Sequence, residues 1–411
     1  MFDKDSDVSN HKHLPLSLLD LSLTFLKIGS TSFGGFMSLI SVVENIFVKQ
    51  RNLLTNEEML DGISLATILP GPFGVNVVIY VGYLLRGGLG ALVSGISILL
   101  PTFILILGLS VAYFQAGQMP SISKLFYGFI PAITVIILFA GWRMGKKVIV
   151  DWKTFSLAIW AGFVLKFVGG FYMTLIIVIC AGILGYLFYY DIQKPVHSDL
   201  NALPMLEQKF SRLNLFIAFA VLLTLCLLYV IPIPFLAKDS LARLFITFSG
   251  MSLLLFGGGY IFIPLIQEVV VNGYGWITQM DFVNGIALGQ ITPGPILITS
   301  AFIGYAVKGF AGAIVATIGM FFPPGLLMIT CSHLLNQVKK SVIIQSALKG
   351  IRPAIVGMIF TAAIAFAQTA PIHWATLVIF TIIFLIMYRW RVDVILIIPI
   401  AGILGLCLYS L

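Results

Sequence analysis

Apolar runs recur along the whole chain, each about as long as a helix needs to cross a hydrocarbon core of ~30 Å. They predict helices over 16–47, 56–86, 90–115, 122–144, 153–168 and 170–190, then one over 212–232. A second series follows over 241–271, 280–308, 311–336, 345–368, 372–388 and 392–410. The reading is thirteen crossings, six on either side of an unmatched seventh. The longest polar stretch, Asp191 to Arg212, is too short for a soluble domain. The expected order is a polar cytoplasmic tail (1–15), a membrane unit (16–190), a cytoplasmic linker (191–211), a connecting span (212–232) and a second membrane unit (241–411).

The two units are copies of one pattern. Phe33-Gly34-Gly35 recurs as Phe256-Gly257-Gly258, and Pro70-Gly71-Pro72 recurs as Pro293-Gly294-Pro295, both at an offset of 223 residues. Thr55 matches Thr278, and Gly62-Ile63 matches Gly285-Ile286, in the same register. After one deletion the offset is 222, pairing Gly82-Tyr83 with Gly304-Tyr305, Gly90 with Gly312, Pro101 with Pro323 and Pro131-Ala132 with Pro353-Ala354. A register held over such a length marks a duplication. The fold class is therefore an all-α polytopic membrane protein of two homologous repeats. Six crossings return the chain to its starting side and the seventh crosses again, so the repeats are expected to be inverted. Their Pro-Gly-Pro segments are expected to break helices, as kinks or re-entrant turns, where the repeats meet.

Charge agrees with this orientation. With the N-terminus inside, 16 of the 24 Lys and Arg fall in inner segments. Seven (Lys49, Arg51, Lys124, Lys166, Lys238, Arg243 and Lys308) fall in outer ones, and Lys27 lies within a span. Cytoplasmic loops carry such an excess. The formal net charge of +8 is thus explained by topology and not by nucleic acid. With 59% hydrophobic and 10% charged residues in 411, a soluble enzyme is excluded. Cys180, Cys226, Cys331 and Cys407 are unpaired in sequence and read as small apolar residues. The five histidines form no ligand set, and no P-loop motif occurs, so no metal, cofactor or nucleotide site is expected.

Candidate chemistry gathers at the duplicated breaks. Proline removes a backbone donor and glycine loosens the chain. Unpaired backbone groups persist in a membrane only where protein, water or ligand satisfies them. Paired breaks in two repeats point to a site between them, and helix N-termini there suit an anion. The candidate binding residues are Lys27, Phe33, Gly34, Gly35, Pro70, Gly71, Pro72 and Asn76 in the first repeat. In the second they are Phe256, Gly257, Gly258, Gln290, Thr292, Pro293, Gly294, Pro295 and Arg352. Packing alone is the competing reading for the glycines, and interfacial snorkelling for Lys27. Glu44 and Glu268 are the proton-coupling candidates. Glu57, Glu58 and Asp281 follow Thr55 and Thr278 at capping spacing and are read as helix starts. A bulky side chain at Gly71 or Gly294 is expected to block backbone approach to the anion.

These motifs resemble the chromate ion transporter family in its long, two-repeat form. Phe-Gly-Gly at 33–35 and 256–258, Leu54-Thr55 and Ile277-Thr278, both Pro-Gly-Pro sets, both Gly-Tyr pairs and Pro101 with Pro323 carry the resemblance. Phe36, Met37 and Ser38 stand where many long members have proline and histidine after the first Phe-Gly-Gly. The resemblance implies a carrier in the bacterial inner membrane that exports chromate, coupled to protons. Sulfate or another tetrahedral oxyanion as substrate, or a passive anion channel, are the alternatives. A membrane transferase would need clustered Asp, His or Glu at one face, and none is seen. Expected partners are the oxyanion and the lipid bilayer, and a homodimer is left open.

Overall fold

A computed structural model describes residues 16–32, 36–116, 120–170, 172–190, 220–221, 223–224, 227, 236–256, 262–334, 341–390, 392 and 394–409. The tail, the linker, most of the connecting span, Phe33-Gly34-Gly35 and Gly257-Gly258 lie outside the described residues.

The first half contains α1 (Leu18–Thr31), α2 (Phe36–Glu44, continued by a π-helical turn, Asn45–Gln50), α3 (Asn56–Ile68), α4 (Phe73–Ala116), α5 (Pro120–Val148), α6 (Trp152–Phe167) and α7 (Met173–Tyr189). The second contains α8 (Leu241–Ser252), α9 (Phe262–Ile266, continued by a π-helical turn, Gln267–Gly273), α10 (Gln279–Ile291), α11 (Thr299–Ser332), α12 (Val342–Thr369), α13 (Trp374–Trp390) and α14 (Val394–Leu408). Among the described residues there is no strand.

Matched sequence signals start and stop these helices at matched places. Thr55 accepts the Glu58 N–H while Glu58 reaches back to the Thr55 N–H, a complete capping box. Thr278 and Asp281 repeat it at the start of α10. The capping expectation for Glu58 and Asp281 therefore matches the geometry, and each box satisfies N–H groups that a helix start leaves free. α4 turns sharply at Arg86-Gly87 and α11 at Lys308-Gly309, where glycine takes φ of 63° and 57°.

The predicted run 56–86 is two helices folded back on each other. A Cβ on Gly62 would lie 2.4 Å from the Tyr80 ring, and these residues stand equally far in sequence from Gly71. Gly285 meets Phe302 in the same way in the second half. The run 16–47 also divides, into α1 and α2, with Phe25 stacked on Phe47.

The halves interlock. α5 packs on α13 and α14 of the other half, and α12 packs on α6 and α7. Small residues form both seams: Gly128 lies against Ala401 and Gly405, and Gly350 against Ala181 and Gly185. Close backbone approach of this kind is how helices associate in lipid, where burial of apolar surface gives little drive. Away from the seams, Leu89, Leu92, Ile96, Leu100 and Ile104 form an exposed apolar stripe along α4. Four helical stretches, Phe73–Gln115, Lys124–Val148, Ile296–Ser332 and Val342–Thr369, are long and apolar enough to cross a bilayer. The chain is a multi-pass membrane protein, and the stripe is its hydrocarbon-facing surface.

Candidate site at the crossed turns

α3 ends at Ile68 and α4 begins at Phe73, with Pro70-Gly71-Pro72 between them. α10 ends at Ile291, and a short 3-10 turn begins at Ile296, beyond Pro293-Gly294-Pro295. Gly71 has φ of 114° and Gly294 of 111°. Side chains avoid that backbone region, so each turn requires glycine.

Each turn docks on the other half. The Gly71 N–H donates to the Leu255 carbonyl at 2.7 Å, and the Gly294 N–H donates to the Ser32 carbonyl at 3.2 Å. Ser32 and Leu255 are themselves equivalent positions at the offset of 223, each immediately before its Phe-Gly-Gly. The exchange is therefore reciprocal. Packing repeats it: a Cβ at Gly71 would lie 2.3 Å from Pro324 Cβ, and one at Gly294 would lie 2.7 Å from Thr102 Oγ1. Thr102 and Pro324 are equivalent at offset 222. The cost of a larger residue at either glycine thus falls first on packing between the halves, not on access of a ligand.

Side-chain donors reach one carbonyl of each turn and one at the end of α3. Asn76 Nδ2 donates to Pro70 at 3.2 Å, Thr102 donates to Pro293, and Arg352 Nη2 donates to Thr67 at 3.2 Å. Arg352 lies on α12 of the second half and reaches the last turn of α3 in the first. That bond uses one of five guanidinium N–H groups. Ser32 Oγ, Asn76 Oδ1 and Ser300 Oγ are buried without a hydrogen-bond partner among the described residues. Other such atoms, among them those of Ser94, Thr174 and Ser346, lie elsewhere in the fold, so the orphans alone do not single out the turns.

The other predicted residues divide between this cluster and its surroundings. Pro72, Pro295 and the buried Thr292, whose hydroxyl donates to Gly289 at 2.8 Å, belong to the turns or their flanks. Phe256 and Gln290 are half-buried nearby in sequence. Lys27 is exposed on α1 and forms no salt bridge among the described residues. Glu44 pairs with Lys49 at 2.9 Å. Glu268 accepts the Gly170 N–H at 2.5 Å and Asn272 Nδ2 at 2.8 Å. Sequence reasoning did not single out Thr102 or Pro324. Their signal was available in the matched prolines at 101 and 323, one residue earlier.

The chromate transporter family model matches residues 19–186 and 242–406. An uncharacterized transporter of Methanocaldococcus jannaschii is 30% identical over 395 residues, covering 95% of this chain and 94% of the relative. A probable chromate transport protein of Synechococcus elongatus is 30% identical, covering 89% and 88%. A chromate transport protein of Cupriavidus metallidurans is 26% identical, covering 98% and 96%. No solved structure matches the chain.

Proposed function

Because the chain belongs to the chromate transporter family, we propose that it is a secondary active carrier that exports chromate across the inner membrane, coupled to protons. The carrying observation is the reciprocal exchange of Gly71 and Gly294 between the halves, which gathers both Pro-Gly-Pro turns and the approaches to both Phe-Gly-Gly segments.

The halves are inverted in this reading, and the folded-back helix pairs are re-entrant. α3 and the first arm of α4 begin and end on one face, so the first full crossing is the second arm of α4. Tyr113, at its far end, meets Asp281 at the start of α10 at 2.7 Å. Tyr83, just before its beginning, meets His333 at the end of α11 at 2.7 Å. With re-entrant turns at mid-depth, the two contacts at opposite ends of α4 support opposite orientations of the halves. Re-entrant turns also move Lys49 and Arg51 to the face of the N-terminus. Lys124, Lys166, Lys238, Arg243 and Lys308 then lie opposite, Lys27 and Arg352 lie at depth, and the other 17 of 24 share the inner face.

The turns, on this reading, lie at mid-depth, where carriers built from inverted repeats hold their substrates. The Pro70 and Pro293 carbonyls accept from Asn76 and Thr102, the Gly71 and Gly294 N–H groups are spent on Leu255 and Ser32, and Arg352 donates to Thr67 at the end of α3. What remains toward a ligand is the N-terminal end of α4 and of the turn leading into α11, with their positive dipole ends. Arg352 adds a full charge and a planar fork that matches two oxygens of a tetrahedral dianion. Glu44 and Glu268 end re-entrant pairs on opposite faces, and are the carboxylates proposed to take up and release the proton.

Radiolabelled chromate flux in inside-out vesicles containing the purified chain, with and without a pH gradient, tests this function. The expected result is accumulation that needs the gradient and is weakened in Glu44→Gln and Glu268→Gln. Flux indifferent to the gradient would make the protein a channel, and sulfate carried in place of chromate would overturn the substrate.

A further inference from the structure

Two polar links join the halves away from the turns. Near the far end of α4, the Tyr113 hydroxyl donates to Asp281 Oδ1 at 2.7 Å and accepts from Asn284 Nδ2 at 3.0 Å. The other Asp281 oxygen is engaged by Thr278 in the capping box. Asn284 is buried, and its Oδ1 has no partner among the described residues. At the other end, the Tyr83 hydroxyl and His333 Nε2 are 2.7 Å apart, with the rings edge to face at 5.5 Å. Some 25 helical residues separate the turn of α4 from Tyr113, on the order of 35–40 Å at about 1.5 Å per residue. The links therefore stand at opposite faces of a bilayer whose core is ~30 Å thick.

We propose that these two links are the gates of the carrier: Tyr113 with Asp281 and Asn284 closes one face, and Tyr83 with His333 closes the other. The proposal rests on the inverted, alternating reading above. Rocking α4 against α10 and α11, over α5 and α12 seams that stay packed, separates one link while holding the other, since each spans the halves at an opposite end of α4. Both links are made in this structure, so on this proposal both gates are shut. Hydroxyl, amide, carboxylate and imidazole contacts suit this role. They can exchange for water at an opening face, whereas the glycine seams of α5 and α12 must stay packed. The orphan oxygen of Asn284 is a buried acceptor left unsatisfied in the closed arrangement and free to be satisfied when the link opens.

Side-specific thiol labelling tests the gates without relying on any substrate. In a chain with Cys180, Cys226, Cys331 and Cys407 replaced, Arg51→Cys and Lys238→Cys mark the faces with a membrane-impermeant maleimide. They are expected to react from opposite sides in right-side-out and inside-out vesicles. Reaction from one side would overturn the inverted reading itself, whatever the gates do. Ser300→Cys then reports access to the buried turns. Tyr113→Phe is expected to speed its labelling roughly tenfold from the face marked by position 238 alone. Tyr83→Phe is expected to do so from the face marked by position 51 alone. A merely structural role would loosen both faces in both variants. That outcome, or effects on the same face, or no effect with the markers on opposite faces, would overturn the gates.

Discussion

Arg352→Gln is expected to lower chromate transport about 100-fold while the protein remains folded in the membrane. A hydrogen bond to a charged group is worth about 1.5–3 kcal/mol, and each ~1.4 kcal/mol is tenfold in binding. Arg352 has a second role to be weighed against this. Its donation to Thr67 places a cation at the C-terminal end of α3, an interaction ordinarily worth about 0.3–1 kcal/mol. Glutamine keeps a donor for that carbonyl and removes only the charge and the fork. A capping role alone therefore predicts near-normal transport in Arg352→Gln, with a small loss of thermal stability. Arg352→Lys retains charge without the planar fork and is expected to fall between. Flux and thermal unfolding measured on the same preparations separate the two roles.

The second large effect is on stability and is unequal between equivalent glycines. Gly71→Ala places a Cβ 2.3 Å from Pro324 Cβ, while Gly294→Ala meets the Thr102 hydroxyl at 2.7 Å. Both also force alanine into left-handed backbone, at about 1–2 kcal/mol. Pro324 is fixed by its ring within α11, so the collision at Gly71 must move backbone, adding about 1–3 kcal/mol. Thr102 can turn its side chain aside, although it then surrenders its bond to Pro293. The expected order of thermal stability is wild type, then Gly294→Ala, then Gly71→Ala. Pro324→Gly removes the colliding Cβ and is expected to recover part of the loss in Gly71→Ala. Equal losses, or no recovery, would contradict the crossed packing.

The duplication and the apolar runs were legible because they are local and repeated. Thr55 and Thr278, each three residues before an acid, gave the capping boxes for the same reason. The folding back of 56–86 was not legible. Pro-Gly-Pro permits either a kink or a reversal, and contacts such as Gly62 with Tyr80 decide between them. Treating 16–47 as one crossing also placed Lys49 and Arg51 outside, a position the proposed re-entrant turns reverse. The site was half legible. The glycines could be found from their flanking prolines, but each docks on a residue, Pro324 or Thr102, some thirty positions past the turn of the opposite half. Lys27 had the right chemistry in an apolar run, and the fold leaves it exposed on α1. Tyr113 and His333 are single polar residues within apolar runs, and only the tertiary fold gives them partners.

The account turns on one oxyanion held at the crossed turns by Arg352. Equilibrium binding of radiolabelled chromate to the purified chain in lipid nanodiscs measures that directly. The account predicts a single saturable site per chain in the wild type, lost in Arg352→Gln even though that variant unfolds at nearly the wild-type temperature. Chromate bound as tightly by Arg352→Gln as by the wild type would contradict it.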